Sequence, residues 1–382
     1  MLASRLILGF NSISTRPIYV TRPSLPDLAD VLPLLEEIWD RRMLTNSGPM
    51  LQRFESALAD YLGVEHISLV VNATLGTVLA MQQAGITSGE VITTPFSFVA
   101  TSHAIKLAGA VPVFADIDPV TLNLDPTKIE ALITPQTKAL LPVHTFGMPC
   151  DFDGLAEVAD RNGLKVLYDA AHAFGVHRNG QSILRYGEMS VLSFHATKVF
   201  NTFEGGAVIA QDRETKLAID RLANFGFADL ESVDAIGTNA KMNEFSAALG
   251  LAQLCGIDEV FANRARVAQR YMERLGKIRG LTCPSPSGVV GHNHYAFPIL
   301  VGSEFHVSRD KLQVLLEKEN IFARKYFYPL ISDMEPYNTL PSADPAGLPV
   351  ARKVASEVLC LPIYPDLDEK SQDRIIERIL KP

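Results

Sequence analysis

The chain holds four cysteines, Cys150, Cys255, Cys283 and Cys360, and they are widely scattered. They make no CxxC pair and no Cys/His cluster, so neither a structural zinc nor any other metal site is expected. Thiols spaced this way fit a reduced, cytoplasmic setting. No uninterrupted apolar run is long enough to cross a bilayer, so no membrane partner is expected. Basic charge is in short supply too: 35 Lys and Arg stand against 43 Asp and Glu, a formal charge of −8. Without a basic run, nucleic-acid binding has no electrostatic support. An anionic ligand stays open, because phosphates can be held by local amides and a few cations. Also missing are a GxxxxGK[ST] loop, a GxGxxG loop, an HExxH pair and a nucleophile elbow. No internal repeat or low-complexity tract is visible.

What is present is a long chain, 382 residues with 47% apolar content, enough for one large domain and a smaller partner. Residues 1–20 read as a flexible N-terminal extension. The first 26 residues lack any acid and carry Arg5, Arg16 and Arg22, but Leu6 to Phe10 is too short for a signal core. Helices are expected over Asp27 to Arg41 and Pro49 to Leu62. Short apolar strands then alternate with helices. The strands are His66 to Val71, Val91 to Thr93, Val111 to Ala115, Ala139 to Val143 and Lys165 to Tyr168. The helices are Thr74 to Gln83, Val99 to Leu107 and Phe152 to Asn162. Such alternation predicts an α/β fold with a mostly parallel sheet covered by helices, to which strands 189–194 and 206–210 are added. This large domain is expected over 21–243. From 244 the texture becomes α+β: one long helix over Glu244 to Leu275, then strand Tyr295 to Val301, helix Ser308 to Glu319, strand Ile321 to Tyr326 and a last helix Glu369 to Leu380. Pro329 to Pro349 reads as a surface loop.

Lys198 is the residue with most chemistry in it. It closes the run Ser193-Phe194-His195-Ala196-Thr197-Lys198, just before Glu204-Gly205-Gly206. A lysine at the end of an apolar strand suits a Schiff base, since burial lowers the ammonium pKa and frees the amine. Hydroxyls beside it suit a phosphate, and the two together point to pyridoxal phosphate (PLP). Asp169 ends another strand, at the sheet edge where ligands of open α/β sheets bind. A carboxylate there can hold the pyridine nitrogen protonated, so that the ring accepts electrons; a turn or N-cap aspartate fits the same spacing. His172 can orient Asp169, lie near the ring, or be a satisfied structural group. Ala73 and Thr74 open a helix whose amides attract phosphate, although a plain cap reads the same way. Phe98 can lie flat on a planar cofactor or belong to the core. Asn239-Ala240-Lys241-Met242-Asn243-Glu244 gathers polar groups at another helix start.

With these residues assembled, the chain resembles the DegT/StrS family of sugar-nucleotide aminotransferases, of the fold type I (aspartate aminotransferase-like) PLP superfamily. The resemblance runs from about Thr21 to the C-terminus. Its carriers are Asp169-Ala-Ala-His172, Ser193-Phe-His-Ala-Thr-Lys198 with Glu204-Gly-Gly206, and Asn239-Ala-Lys-Met-Asn-Glu244 running on to Gln253-Leu254. It implies Lys198 as the Schiff-base lysine and acid/base, Asp169 against the pyridinium, and His172 in support. It also implies Ala73, Thr74 and Ser193 on the phosphate, Phe98 stacked on the ring, and Asn239 reaching the phosphate from the other subunit of a homodimer. Ala73 stands where the family usually has Gly, which keeps the amide but alters backbone freedom. Thr45 and Asn46 would line the sugar pocket, and Tyr326 and Tyr328 would lie near the nucleotide. The partners implied are L-glutamate and a nucleotide-linked keto sugar. His-Ala-Thr-Lys with Glu-Gly-Gly looks closest to members that aminate C-4 and make dTDP-4-amino-4,6-dideoxyglucose, a deoxysugar of O-antigen and lipopolysaccharide biosynthesis. The alternatives are 3-aminotransfer or PLP-dependent dehydration of a related keto sugar, or a PLP-binding regulator without turnover.

Overall fold

The computed structural model describes residues 16–285 and 291–381. Its centre is a seven-stranded sheet. In spatial order the strands are His66–Val70, Gly206–Ala210, Met189–Ser193, Lys165–Asp169, Thr137–Leu141, Glu90–Thr93 and Val111–Phe114. All run parallel except Gly206–Ala210, which is antiparallel to both its neighbours. The mostly parallel, helix-covered sheet expected from the alternation is therefore found. Its strands are apolar on both faces, as a doubly covered sheet requires. Ala207 and Ile209 join a core built with Pro49–Leu62, Phe152–Asn162 and Glu244–Cys255. Val208 and Ala210 join the opposite core under Ala73–Gln83, Ala100–Leu107 and Arg213–Ala223.

The single helix expected over 244–275 is two helices, Glu244–Cys255 and Ile257–Leu275, bent by 62° at Gly256. The break falls where burial changes. Eight residues of the first helix are buried on all sides in the large domain, whereas the second is a one-faced helix of the smaller layer. A glycine at the junction is a weak helix former and gives the bend its place. No single helix among the described residues is long and apolar enough to cross a membrane.

The smaller layer is a three-stranded antiparallel sheet, Leu281–Thr282, Phe297–Val301 and Val358–Leu361, packed on Ile257–Leu275, Arg309–Glu317 and Glu369–Leu380. The strand expected over Ile321 to Tyr326 is only Ile321–Phe322, and it pairs in parallel with Ile18–Tyr19. Ile18 is buried, so the chain is already ordered before residue 21. Residues 1–15 of the expected extension lie outside the described residues. The Pro-rich segment after Pro329 is also less loose than its composition implies. It forms three short 3-10 turns, and Ile331, Tyr337, Ala343 and Leu348 are buried with Phe114.

One long-range cap fixes the start of the large domain. Helix Pro49–Leu62 begins after Gly48, which has no side chain to cap it. Glu244 supplies the acceptor instead: its buried carboxylate takes hydrogen bonds from Met50 N at 2.9 Å and Leu51 N at 3.0 Å. Glu244 N in turn donates to Leu44 O at 3.0 Å. A Cβ on Gly48 would stand 2.5 Å from the Glu244 carboxyl carbon. Glycine is required here by that close approach. Gly48→Ala is expected to destabilise the fold by about 1–3 kcal/mol through overpacking, and Glu244→Gln by about 1–2 kcal/mol through a lost charged acceptor. Because the two share one contact, urea denaturation of the double variant should give less than the sum.

Candidate active site

The carboxyl ends of the parallel strands open onto a cavity of ≈ 350 Å³. The antiparallel strand makes this edge unusual. Gly206, its first residue, pairs with Val70 on one side and Ser193 on the other. A Cβ on Gly206 would meet Ala73 N at 2.8 Å and Leu192 O at 2.8 Å. With no side chain there, the N-terminus of helix Ala73–Gln83 settles directly against the strand ends. Asn72 caps that helix, accepting from Leu75 N at 2.9 Å. The preceding amides, on Ala73 and Thr74, have no partner inside the helix, and both residues line the cavity. Ser193, Thr74 and these amides form a cradle suited to a phosphate.

Across the cavity Asp169 ends its strand. Its carboxylate accepts from Thr101 Oγ1 at 2.7 Å and from Ala171 N at 3.1 Å. Thr101 is itself held to Ser97 at 2.8 Å. Orientation of Asp169 thus comes from Thr101 and its own turn. His172 does something else: its buried imidazole stacks on Tyr295, 4.2 Å between centroids at 8°, and its Nδ1 has no hydrogen-bond partner. Burial keeps that ring neutral, its pKa well below the usual imidazole range.

Lys198 is partly buried in the turn after Met189–Ser193, where its amide donates to His195 O at 2.8 Å. Its Nζ donates to Tyr295 Oη at 3.5 Å and lies 4.8 Å from the centre of the Tyr295 ring. Burial pulls the ammonium pKa down to about 8, and the Asp169 carboxylate opposes part of that pull. Phe98 stands 60% exposed on the cavity wall, with a face free to cover a flat ring.

Eight of the residues singled out in the sequence line this one cavity: Ala73, Thr74, Phe98, Asp169, His172, Ser193, Lys198 and Tyr326. Four lie elsewhere in the protomer. Asn239 is exposed and bridges Asn224. Thr45 and Asn46 are exposed in the segment before Gly48, Asn46 sharing a second cleft with Asn224 and Lys241. Tyr328 is 54% exposed beneath the Arg309 and Lys325 cations. Sequence reasoning overlooked Tyr295, Phe327, Thr101 and Ser97, all of which line the cavity, while Thr197 and Ala171, quoted in the two strand-end motifs without a role of their own, line it too. Their only signal was position: Thr101 follows Phe98 by one helical turn, and Tyr295 sits at the start of an expected strand.

These residues fit PLP. A helix N-terminus with hydroxyls matches its phosphate, a fixed carboxylate its pyridinium, an amine of lowered pKa its aldehyde, and the unpartnered His172 Nδ1 a polar ring substituent. Residues 28–380 match the DegT/DnrJ/EryC1/StrS aminotransferase family. The chain is 49% identical over 364 residues to the dTDP-4-amino-4,6-dideoxy-D-glucose transaminase of Shigella dysenteriae, covering 95% of this chain and 98% of that one. It is 48% identical to the Escherichia coli enzyme of the same name over 372 residues, covering 96% and 99%. A crystal structure of DesI in the presence of its TDP-sugar product superposes with a TM-score of 0.91 at 37% identity, covering 96% of this chain and 92% of that one. The chain belongs to the DegT/DnrJ/EryC1/StrS family and is a PLP-dependent sugar aminotransferase.

Proposed function

We propose that this enzyme moves an amino group from L-glutamate to C-4 of a dTDP-linked 4-keto-6-deoxyglucose, giving dTDP-4-amino-4,6-dideoxyglucose, and works as a cytoplasmic homodimer with shared sites. The observation that carries the reading is near full-length 49% identity to a transaminase named for that sugar, joined to a cavity that holds Lys198 and Asp169 together. Keeping Lys198 favours amine transfer over dehydration, where the resembling branch has His in its place.

PLP, when bound, supplies an electrophilic carbonyl carbon and a ring that accepts electrons. The protein supplies everything around it. Ala73 and Thr74 amides with Ser193 would anchor the phosphate. Asp169, oriented by Thr101, would place negative charge against the ring nitrogen. Lys198 Nζ would carry the proton between the nitrogen-bearing substrate carbon and the cofactor carbon, taking it from one and delivering it to the other. A group with a pKa near 8 suits both tasks, since at pH 7.5 roughly a quarter of it is free base. Asn239, Thr45 and Asn46 are exposed and apart from their own cavity, which supports their serving the partner subunit's site. A supply of such a sugar for O-antigen or lipopolysaccharide follows from the same reading.

Three outcomes are expected. With dTDP-4-keto-6-deoxyglucose and glutamate, product NMR should place nitrogen on C-4; nitrogen on C-3 would sink the assignment. The rate at which apoprotein captures PLP, followed by visible absorbance, should rise with pH and level off above about 8. The sign follows from the lowered pKa: the amine is the reactive form, and it is already abundant two or more units below the usual lysine range. Finally, Asn239→Ala should weaken PLP binding about tenfold, as expected for losing one hydrogen bond to a charged group. Mixed dimers of Lys198→Ala with Asn239→Ala subunits should regain one site of wild-type affinity; no regain would place Asn239 in its own subunit's site.

A further inference from the structure

Two buried polar side chains with no part in the proposed chemistry converge on the backbone of one cavity residue. Arg264, on helix Ile257–Leu275, is 3% exposed. It has no ion pair among the described residues. Its guanidinium instead donates to His294 O from Nε at 3.0 Å and from Nη2 at 2.9 Å, and to Tyr295 O from Nη2 at 2.8 Å. Burying a guanidinium without a carboxylate is costly, and burial does lower its pKa, to about 10. Asn293 is fully buried beside it. Its Oδ1 accepts from Tyr295 N at 3.0 Å, and its Nδ2 donates to His172 O at 2.9 Å and Phe174 O at 3.0 Å.

Tyr295 precedes the strand Phe297–Val301, so its amide and carbonyl lie outside the sheet ladder. Buried backbone groups must be paired somewhere. Here the pairing is done by side chains of fixed shape, a planar guanidinium fork and an amide. Asn293 also holds the backbone of His172, the residue whose ring stacks on Tyr295. One amide thereby fixes both halves of the stack. The ring so held is the surface against which Lys198 Nζ rests. Burial keeps the Tyr295 hydroxyl protonated throughout the working pH range, its pKa being raised.

We propose that Arg264 and Asn293 are positioning residues that fix Tyr295, so that its ring and hydroxyl hold the Lys198 amine toward the cofactor cradle. The assignment rests on Lys198 being the reacting amine. No proton leaves Tyr295 in this role; it sets where the amine stands. A displacement of about 1 Å at such a group can cost up to a hundredfold in rate, whereas substrate affinity, set elsewhere, should be little changed.

The test is Tyr295→Phe, which keeps the ring and the packing and removes only the hydroxyl. Apoprotein carrying it should capture PLP at pH 8 roughly fivefold more slowly, and kcat should fall about tenfold with KM for the sugar nucleotide within about twofold. Arg264→Lys, with fewer donors in a different geometry, should slow capture in the same direction. Gln372→Leu is the control for stability alone. Its buried amide, on helix Glu369–Leu380, donates at 2.7 Å to Val267 O of the helix that carries Arg264, and neither residue lines the cavity. It should lower Tm and leave capture unchanged. The proposal is overturned if Tyr295→Phe captures PLP and turns over at wild-type rates. It is equally overturned if Arg264→Lys and Gln372→Leu slow capture in proportion to their loss of Tm. Failure of the underlying reading would look different: Lys198→Ala apoprotein would still develop the visible band.

Discussion

The structure depends on one reversed strand. Gly206–Ala210 runs against its neighbours, so its first residue sits among the carboxyl ends of the others. A side chain at that place would collide with the first amide of helix Ala73–Gln83 and with the strand beside it. Because residue 206 is glycine, the helix N-terminus, Ser193 and the turn carrying Lys198 share one small volume. A cradle suited to a phosphate and an amine of lowered pKa then arise from the same packing solution. Neither could be placed by helix or strand propensity alone.

Opposite this cradle, electrostatics are held in balance. Burial strips water from Lys198 and lowers its pKa, and the carboxylate of Asp169 restores part of what burial takes away. The net value near 8 leaves an amine that can both attack and carry a proton. That balance needs Asp169 to stay in place, which Thr101 and the Ala171 amide ensure. The far wall comes from the smaller layer, through Tyr295, Tyr326 and Phe327. The site therefore exists only when both layers are assembled, tied through Asn293, whose amide donates to the His172 and Phe174 carbonyls.

Much of this was legible from residue order. Strands and helices of the large domain follow apolar period and turn residues, and helices Pro49–Leu62, Phe152–Asn162 and Glu369–Leu380 have the expected bounds. Lys198, Asp169, Ser193 and Ala73-Thr74 were readable because each lies in a short motif at a strand end. Thr101 and Tyr295 were not, since their contacts span 68 and 97 residues and exist only in the folded chain. The apolar period ran unbroken across Gly256 and concealed the 62° bend. Helix Arg213–Ala223 went unread because only Ile219, Leu222 and Ala223 are buried, too thin an apolar stripe to stand out. The segment after Pro329 looked like a loop by composition, yet Tyr337 and Leu348 anchor it under Phe114.

The central claim is that Lys198, alone among the lysines, is the amine that meets the cofactor. It is tested most directly by reducing PLP-loaded protein with borohydride and mapping the labelled peptide by mass spectrometry. The account predicts a single pyridoxyl adduct on Lys198. An adduct on Lys216 or Lys241, or a stable adduct spread over several lysines with Lys198 unmodified, would contradict it.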